Sequence, residues 1–197
     1  MPLPIYHITH INNLPSILEA GGLIPNSQLK KQQINYLDIA HENIQNRRAK
    51  TPVPCSAGGF LHDYVPFYFA PRSPMLYAIH KGNVAGYQEG QNSVIYLVAY
   101  VEQIESQGLA FAFTDGHAVM AYTSFYDNLE ALEHEIDWEL MGEKYWANTP
   151  DDPDRKFRRQ AEFLVDQFCP WETIKEIGVI NQSIQTQVEQ LLQTINT

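Results

Sequence analysis

Val65-Pro66-Phe67-Tyr68-Phe69-Ala70-Pro71-Arg72-Ser73-Pro74-Met75-Leu76-Tyr77 is the stretch on which a reading of this chain turns. Four of its first five residues are β-branched or aromatic, so residues 65–69 read as a short strand. Pro71 and Pro74 forbid its continuation, because each removes a backbone donor and fixes φ. Arg72 and Ser73 are held between them on a stiff turn, and Met75-Leu76-Tyr77-Ala78-Ile79 resumes an apolar run that opens a helix. Two readings fit: a buried strand ending in a proline turn, or a rigid wall that presents a cation beside a stacking surface.

Outward from that stretch, the totals bound the problem. A chain of 197 residues is most simply one domain, residues 1–197, with a substantial core. An apolar share of 44% and a charged share of 18% describe a globular rather than a disordered chain. No apolar run approaches the roughly 18 residues that span a bilayer. The opening MPLPIYHITH lacks the basic and apolar blocks of a signal peptide, so cytoplasmic residence is the expectation. Cys55 and Cys169 make neither a disulfide framework nor a zinc site, and no metal is expected. The net charge of −10 argues against sequence-blind binding of duplex DNA. The bases nevertheless cluster, at Lys30-Lys31, at Arg47-Arg48 with Lys50, and at Arg155-Lys156 with Arg158-Arg159. The acids gather elsewhere, in residues 130–143 and 151–154. Such clusters suit a defined anionic ligand, or else solvated helix faces.

In chain order, Ile5-Tyr6-His7-Ile8-Thr9-His10 reads as a first strand, with Ile5, His7 and Thr9 on one face and Tyr6, Ile8 and His10 on the other. Leu14, Ile17 and Leu18 predict a short helix that Gly21-Gly22 stops. Residues 26–52 read as polar and irregular, with weak helical periodicity from Leu37 through Ile44 to Arg47-Arg48. Residues 75–81 read as helix and residues 82–91 as an exposed, turn-rich loop. Residues 94–101, apolar on both faces, read as a central strand. Residues 110–114 form another, which Asp115-Gly116 ends in a turn. Leu129, Leu132, Ile136 and Leu140 suggest helical pieces. Residues 161–165 and 177–180 are strand candidates, Pro170-Trp171-Glu172 starts a short helix, and Ile184, Val188, Leu191, Leu192 and Ile195 line one side of a last helix. Mixed short strands with scattered helices give an α+β class. No phosphate-binding glycine loop, Walker lysine or GxSxG elbow is present.

Among candidates for chemistry, Glu162 stands out because Ala161, Phe163, Leu164 and Val165 around it are apolar. A buried acid there should titrate above the usual carboxylate range, which suits a general base. The alternative is an edge residue facing water or a partner for Arg158 or Arg159. His7 and His10, on the first strand, serve either structure or a ligand. Arg48 and Arg72, near turns, are candidate phosphate forks, or surface arginines.

Together, Tyr6-His7-Ile8-Thr9-His10-Ile11-Asn12-Asn13-Leu14, the opening stretch and Arg159-Gln160-Ala161-Glu162-Phe163-Leu164-Val165 resemble the DarT family, bacterial toxins that ADP-ribosylate single-stranded DNA. The resemblance implies an ADP-ribosyltransferase fold: a split, mixed β-sheet core around a cleft that takes NAD⁺ as co-substrate. It implies Glu162 and Arg48 as catalytic residues, with Arg47 as an alternative register for the arginine. His10 or His7 would contact the nicotinamide ribose, Tyr68 and Met75 would wall the nicotinamide pocket, and Arg72 would touch NAD⁺ or brace the elbow. Residues 117–155 would hold the target base, with Tyr122, Arg155 and Arg158 contacting DNA and Phe125, Tyr126 and Trp146 as further stacking surfaces. The acceptor it implies is a thymidine base, in a monomeric toxin countered by a macrodomain antitoxin that removes the ADP-ribose. RNA, guanosine or protein as acceptor, or a non-enzymatic nucleic-acid-binding module, are the competing readings.

Overall fold

The computed structural model describes residues 2–195; Met1, residues 196–197 and the side chain of Ile195, assigned above to the last helix's apolar side, lie outside the described residues. In chain order the elements are β1 (Pro4–His10), α1 (Leu14–Glu19), β2 (Gly22–Leu23), α2 (Asn26–Lys31), α3 (Glu42–Arg48), β3 (Tyr64–Tyr68), α4 (Pro74–His80), β4 (Val94–Tyr100), α5 (Val101–Ser106), β5 (Phe111–His117), β6 (Phe125–Tyr126), α6 (Leu132–Glu135), α7 (Trp138–Gly142), α8 (Arg155–Arg158), β7 (Ala161–Asp166), β8 (Cys169–Pro170), β9 (Glu176–Gly178) and α9 (Gln182–Ile195).

Seven strands form one sheet in the order β6-β5-β7-β3-β1-β4-β9, and β2 pairs with β8 apart from it. Every pairing is antiparallel, so the sheet is not the mixed one expected. Its halves differ sharply in how they are sewn. β1 pairs with β4 from Pro4↔Tyr100 to His10↔Val94, and β3 with β7 from Tyr64↔Asp166 to Tyr68↔Glu162. β1 and β3 share a single registered pair, Tyr6↔Tyr68.

Pro66 explains the seam. A strand residue's N–H and C=O point to the same edge, and the Pro66 carbonyl accepts from the His7 ring across the gap at 2.8 Å. The missing Pro66 N–H therefore faces β1, while the ladder to β7 keeps its donors. The two strands splay, and a cavity opens between them.

The main core lies under both halves and includes Ile5, Phe67, Phe69, Leu97, Phe113 and Phe163. Phe69 meets Phe113, Trp138 and Phe163 edge to face, which locks the end of β3 against the helices that follow β6. Ser73 caps α4, accepting from Leu76 N at 3.2 Å, with Pro74 in the first turn, so the proline elbow works as a helix start.

Several expectations are corrected. Asp115-Gly116 is not a turn: β5 runs on to His117 through a register shift against β7. Gly116 is required there by close approach, because a Cβ would lie 2.2 Å from the Phe157 ring. Residues 26–31 are helical although none is buried, so no apolar stripe announced α2. The periodicity from Leu37 is not helix; α3 starts at Glu42, and Leu37 and Ile39 line the cavity from an irregular segment. The loop after α4 is anchored rather than free, with Val84 and Tyr87 buried.

Candidate active site

Glu162 sits near the start of β7 in the centre of the sheet and is 3% exposed. Its backbone N–H donates to Thr114 Oγ1 at 3.0 Å, and the same hydroxyl donates to Gly116 O at 2.7 Å across the β5 irregularity. Arg48, in the last turn of α3 and 8% exposed, donates from Nη1 to Glu162 Oε2 at 2.6 Å. His117, the last residue of β5, places Nδ1 3.9 Å from the other carboxylate oxygen. Three elements far apart in sequence thus converge on one acid.

Burial alone would raise the Glu162 carboxyl, but the charge of Arg48, then the nearby His117, hold it at about 2. The expectation of a raised acid is therefore reversed, because the partner is Arg48 and not Arg158 or Arg159. Arg48 Nη2 and His117 Nδ1 are both buried without a hydrogen-bond partner among the described residues. Unpaired groups of this kind are costly unless a ligand completes them.

Both line one cavity together with His7, Tyr68, Met75 and Glu162. Ile24, Leu29, Ile34, Leu37 and Ile39 also line it, and α1 and the irregular segment before α3 complete its wall. Asn26, whose Oδ1 is another buried unpartnered atom, is also a lining residue. The Tyr68 hydroxyl donates to Met75 Sδ at 3.6 Å, so the strand and helix of the opening stretch form one wall. Burial, then the Glu162 charge, push the Tyr68 hydroxyl well up, against the opposing effect of Arg48.

The two histidines part company. His7 lines the cavity, and its Nδ1 carries the proton donated to Pro66 O. Burial lowers its pKa, while that bond works in the opposite direction. His10 is not among the lining residues: Nδ1 accepts from Asn12 N at 3.1 Å, Nε2 meets Glu89 at 3.2 Å, and the ring edge packs on Tyr87. It anchors the loop after α4.

The arginines divide likewise. Arg47, the alternative register, donates to Val119 O at 2.7 Å and so holds the turn after His117. Arg72 is exposed and lines no part of the cavity; no carboxylate pairs with it among the described residues, and its carbonyl accepts from Arg159. Buried Arg159 also donates to Leu140 O, tying the elbow and α7 to the root of β7.

Of the residues expected on DNA, Tyr122 is 63% exposed with its ring 4.7 Å from that of Phe157. Arg155 donates to Tyr145 O at 3.0 Å and reaches Asp152 at 3.5 Å. Arg158 is enclosed by Asp137, Asp152 and Asp154, so its charge is already matched within the chain. Trp146 packs edge-on against Tyr77 of α4, and Tyr126 stacks on Phe113 in the core. Among the described residues no group of three or more His, Cys, Asp or Glu is placed to hold a metal ion, and no helix is long and apolar enough to cross a membrane.

His117 and Thr114 escaped the sequence reading. His117 lies beyond a dipeptide that reads as a turn, and Thr114 looks like any strand threonine. The one available signal was an isolated glycine inside a strand pattern, which marks a bulge or a close approach.

A family model described as "ssDNA thymidine ADP-ribosyltransferase, DarT" matches residues 6–196. A DNA ADP-ribosyl transferase of Thermus aquaticus is 47% identical over 192 residues, covering 98% of this chain and 82% of the relative. The structure of Thermus sp. 2.9 DarT in complex with ADP-ribosylated ssDNA superposes with a TM-score of 0.92 at 43% identity, over 99% of this chain and 90% of that one. The same Thermus protein in complex with NAD⁺ gives 0.88 at 41% identity, with the same coverage. A DNA ADP-ribosyl transferase–DNA ADP-ribosyl glycohydrolase fusion protein of Thermosipho africanus is 24% identical over 98% of this chain and 46% of its own length. The chain belongs to the DarT family of single-stranded DNA ADP-ribosyltransferases.

Proposed function

We propose that this protein transfers ADP-ribose from NAD⁺ to a thymine ring nitrogen in single-stranded DNA, as the cytoplasmic toxin of a toxin–antitoxin pair. The observation that carries the reading is the buried Arg48–Glu162 pair in the lining of a cavity between two splayed strands, with unpartnered polar atoms among the lining residues. Those atoms fit a polar ligand: Arg48 Nη2 offers a donor and Asn26 Oδ1 an acceptor.

The residues supply the chemistry as follows. Tyr68 and Met75 hold the nicotinamide against a wall whose geometry the proline elbow stiffens. His7 presents its ring to the ribose side from β1. Glu162, ionised and nearly water-free, accepts a ribose hydroxyl hydrogen bond and stabilises positive charge at the anomeric carbon as the glycosidic bond weakens. Arg48 orients that carboxylate and offers Nη2 to phosphate. An unpaired base reaches the cavity without the cost of leaving a stack. Tyr122 and Arg155 are the residues left available to the strand; Arg158 serves the loop instead.

The partner proposed is a macrodomain hydrolase that reverses the modification. The Thermosipho fusion, which joins the two activities in one chain, supports that pairing. The test is mass spectrometry of short oligonucleotides after incubation with NAD⁺. One ADP-ribose on thymine-containing strands, absent with Glu162→Ala and removed by a macrodomain hydrolase, is the expected result. Adducts only on RNA, guanine or protein would overturn the acceptor assignment.

A further inference from the structure

The irregular segment between α2 and α3 forms part of the cavity wall through Ile34 and residues 36–40. Among the described residues, the backbone of residues 35–40 makes no hydrogen bond to any other backbone. The Ala40 N–H donates to Asp38 Oδ1 within the segment at 2.8 Å. One side chain from elsewhere grips this backbone, and it grips it twice. Asn13 donates from Nδ2 to Leu37 O at 2.9 Å, and its Oδ1 accepts from Leu37 N at 2.7 Å. The Leu37 peptide groups are thus paired as a neighbouring strand would pair them.

Asn13 is built for that grip. It is 6% exposed, lines the same cavity, and is fixed in turn by a bond from Nδ2 to Thr9 Oγ1 of β1 at 3.1 Å. It occupies the N-cap position of α1, where an asparagine ordinarily accepts from the helix's first N–H groups, yet it makes no capping bond. Its carboxamide serves the segment rather than the helix. The other anchors differ in kind. Ile39 packs with Ile8, Ile79, Val84 and Tyr87, and Asp38 meets Tyr36 at 3.3 Å and Gln45 of α3 at 3.5 Å. At the α2 end Gln33 takes a left-handed φ of 55°, a conformation few non-glycine residues adopt. A short strap with a strained end, few backbone bonds and one two-point clasp opens locally at little cost.

We propose that Asn13 is a positioning residue that latches residues 34–40 across the cavity, and that release of this latch governs how readily NAD⁺ enters and how tightly it is held. The inference rests on the co-substrate reading above. Arg48 keeps its own anchor to Glu162, so loosening the strap acts on binding and leaves the reacting end in place.

The test uses the full chain with Asn13→Ala and Asn13→Asp. Alanine removes both bonds to Leu37. Aspartate keeps the acceptor for Leu37 N–H but sets a carboxylate against the Leu37 carbonyl, and protonation of that carboxyl restores a donor. Burial raises the pKa of such an acid, so the restoration falls between about pH 8 and about pH 5. The expected result is NAD⁺ binding weaker by about tenfold in both variants at the upper pH, with kcat at saturating NAD⁺ unchanged. Relative to the unsubstituted protein, Asn13→Asp should regain affinity as pH falls and Asn13→Ala should not. Amide exchange should quicken in residues 34–40 and not elsewhere. Asn13→Asp is compared with itself at two pH values, so the outcome stands even where Asn13→Ala does not fold. An affinity loss in Asn13→Asp that ignores pH, or exchange that quickens throughout the chain, would reduce Asn13 to a structural residue and overturn the proposal. If the variants bind NAD⁺ as the unsubstituted protein does, the latch alone falls. If the unsubstituted protein shows no NAD⁺ binding by calorimetry, the co-substrate reading falls and the latch with it.

Discussion

At the residue scale the molecule hangs on one buried ion pair. Removing one partner of such a pair leaves the other charge uncompensated and costs about 3–5 kcal/mol. Arg48→Ala should therefore destabilise the protein by about that amount, whereas Arg47→Ala, which leaves the pair intact, should cost less. The pH dependence has a definite sign. Glu162 is held at about 2, below its ordinary value of 4.5, so the pair contributes stability above that ordinary value and loses it as pH falls through about 2. In Arg48→Ala burial dominates and the carboxyl rises instead. Thermal unfolding should then show the unsubstituted protein gaining nothing from mild acidification, while Arg48→Ala becomes more stable between pH 7 and 5. A parallel pH response in the two proteins would refute the pairing argument.

At the element scale two devices hold the site open and in register. The first is the Pro66 seam, which denies β1 a backbone partner and lets His7 bridge instead. The second is the β5 irregularity, where Thr114, Gly116 and Phe157 together aim His117 at Glu162. Gly116→Ala forces a Cβ into the Phe157 ring, and overpacking of this kind costs about 1–3 kcal/mol. Transfer should fall more than NAD⁺ affinity, because the displaced residue faces the acid rather than the whole cavity; comparing turnover with NAD⁺ titration tests this. His10 acts on another element. His10→Ala should leave the cavity walls in place and increase amide exchange in residues 84–91, whose Tyr87 and Glu89 it holds. Unchanged exchange there would separate His10 from the loop.

At the scale of the whole molecule, charge limits how DNA is engaged. The chain carries −10 overall, and Arg158 is consumed by the acids of its own loop. With Lys30, Lys31 and Arg155 as the phosphate contacts, single-strand affinity should fall with salt at a log–log slope of about −2. A slope near zero would mean that stacking alone binds the strand, and a far steeper one would point to bases not counted here.

Much of the fold was legible because its strands are short, apolar and punctuated. The runs at residues 5–10, 65–69, 94–101 and 161–165 are β-branched or aromatic and end at glycine, proline or capping residues, which is local chemistry. The family resemblance rested on residues 6–14, 65–77 and 159–165, and with it came Glu162, Arg48, Tyr68 and Met75, four residues that share one cavity. What the sequence determined by itself was therefore the strands, the stiff elbow and the identity of the acid. Tertiary structure decided which arginine meets that acid, which histidine faces the cavity and whether the carboxyl rises or falls. Those are differences of a few ångströms between segments a hundred residues apart, and neighbouring candidates such as Arg47 and Arg48, or His7 and His10, have nearly the same local chemistry. The packing of α3 and β5 against β7 separates the arginines, and the seam between β1 and β3 with the loop after α4 separates the histidines, because electrostatics at a buried site follow distance and burial rather than order along the chain.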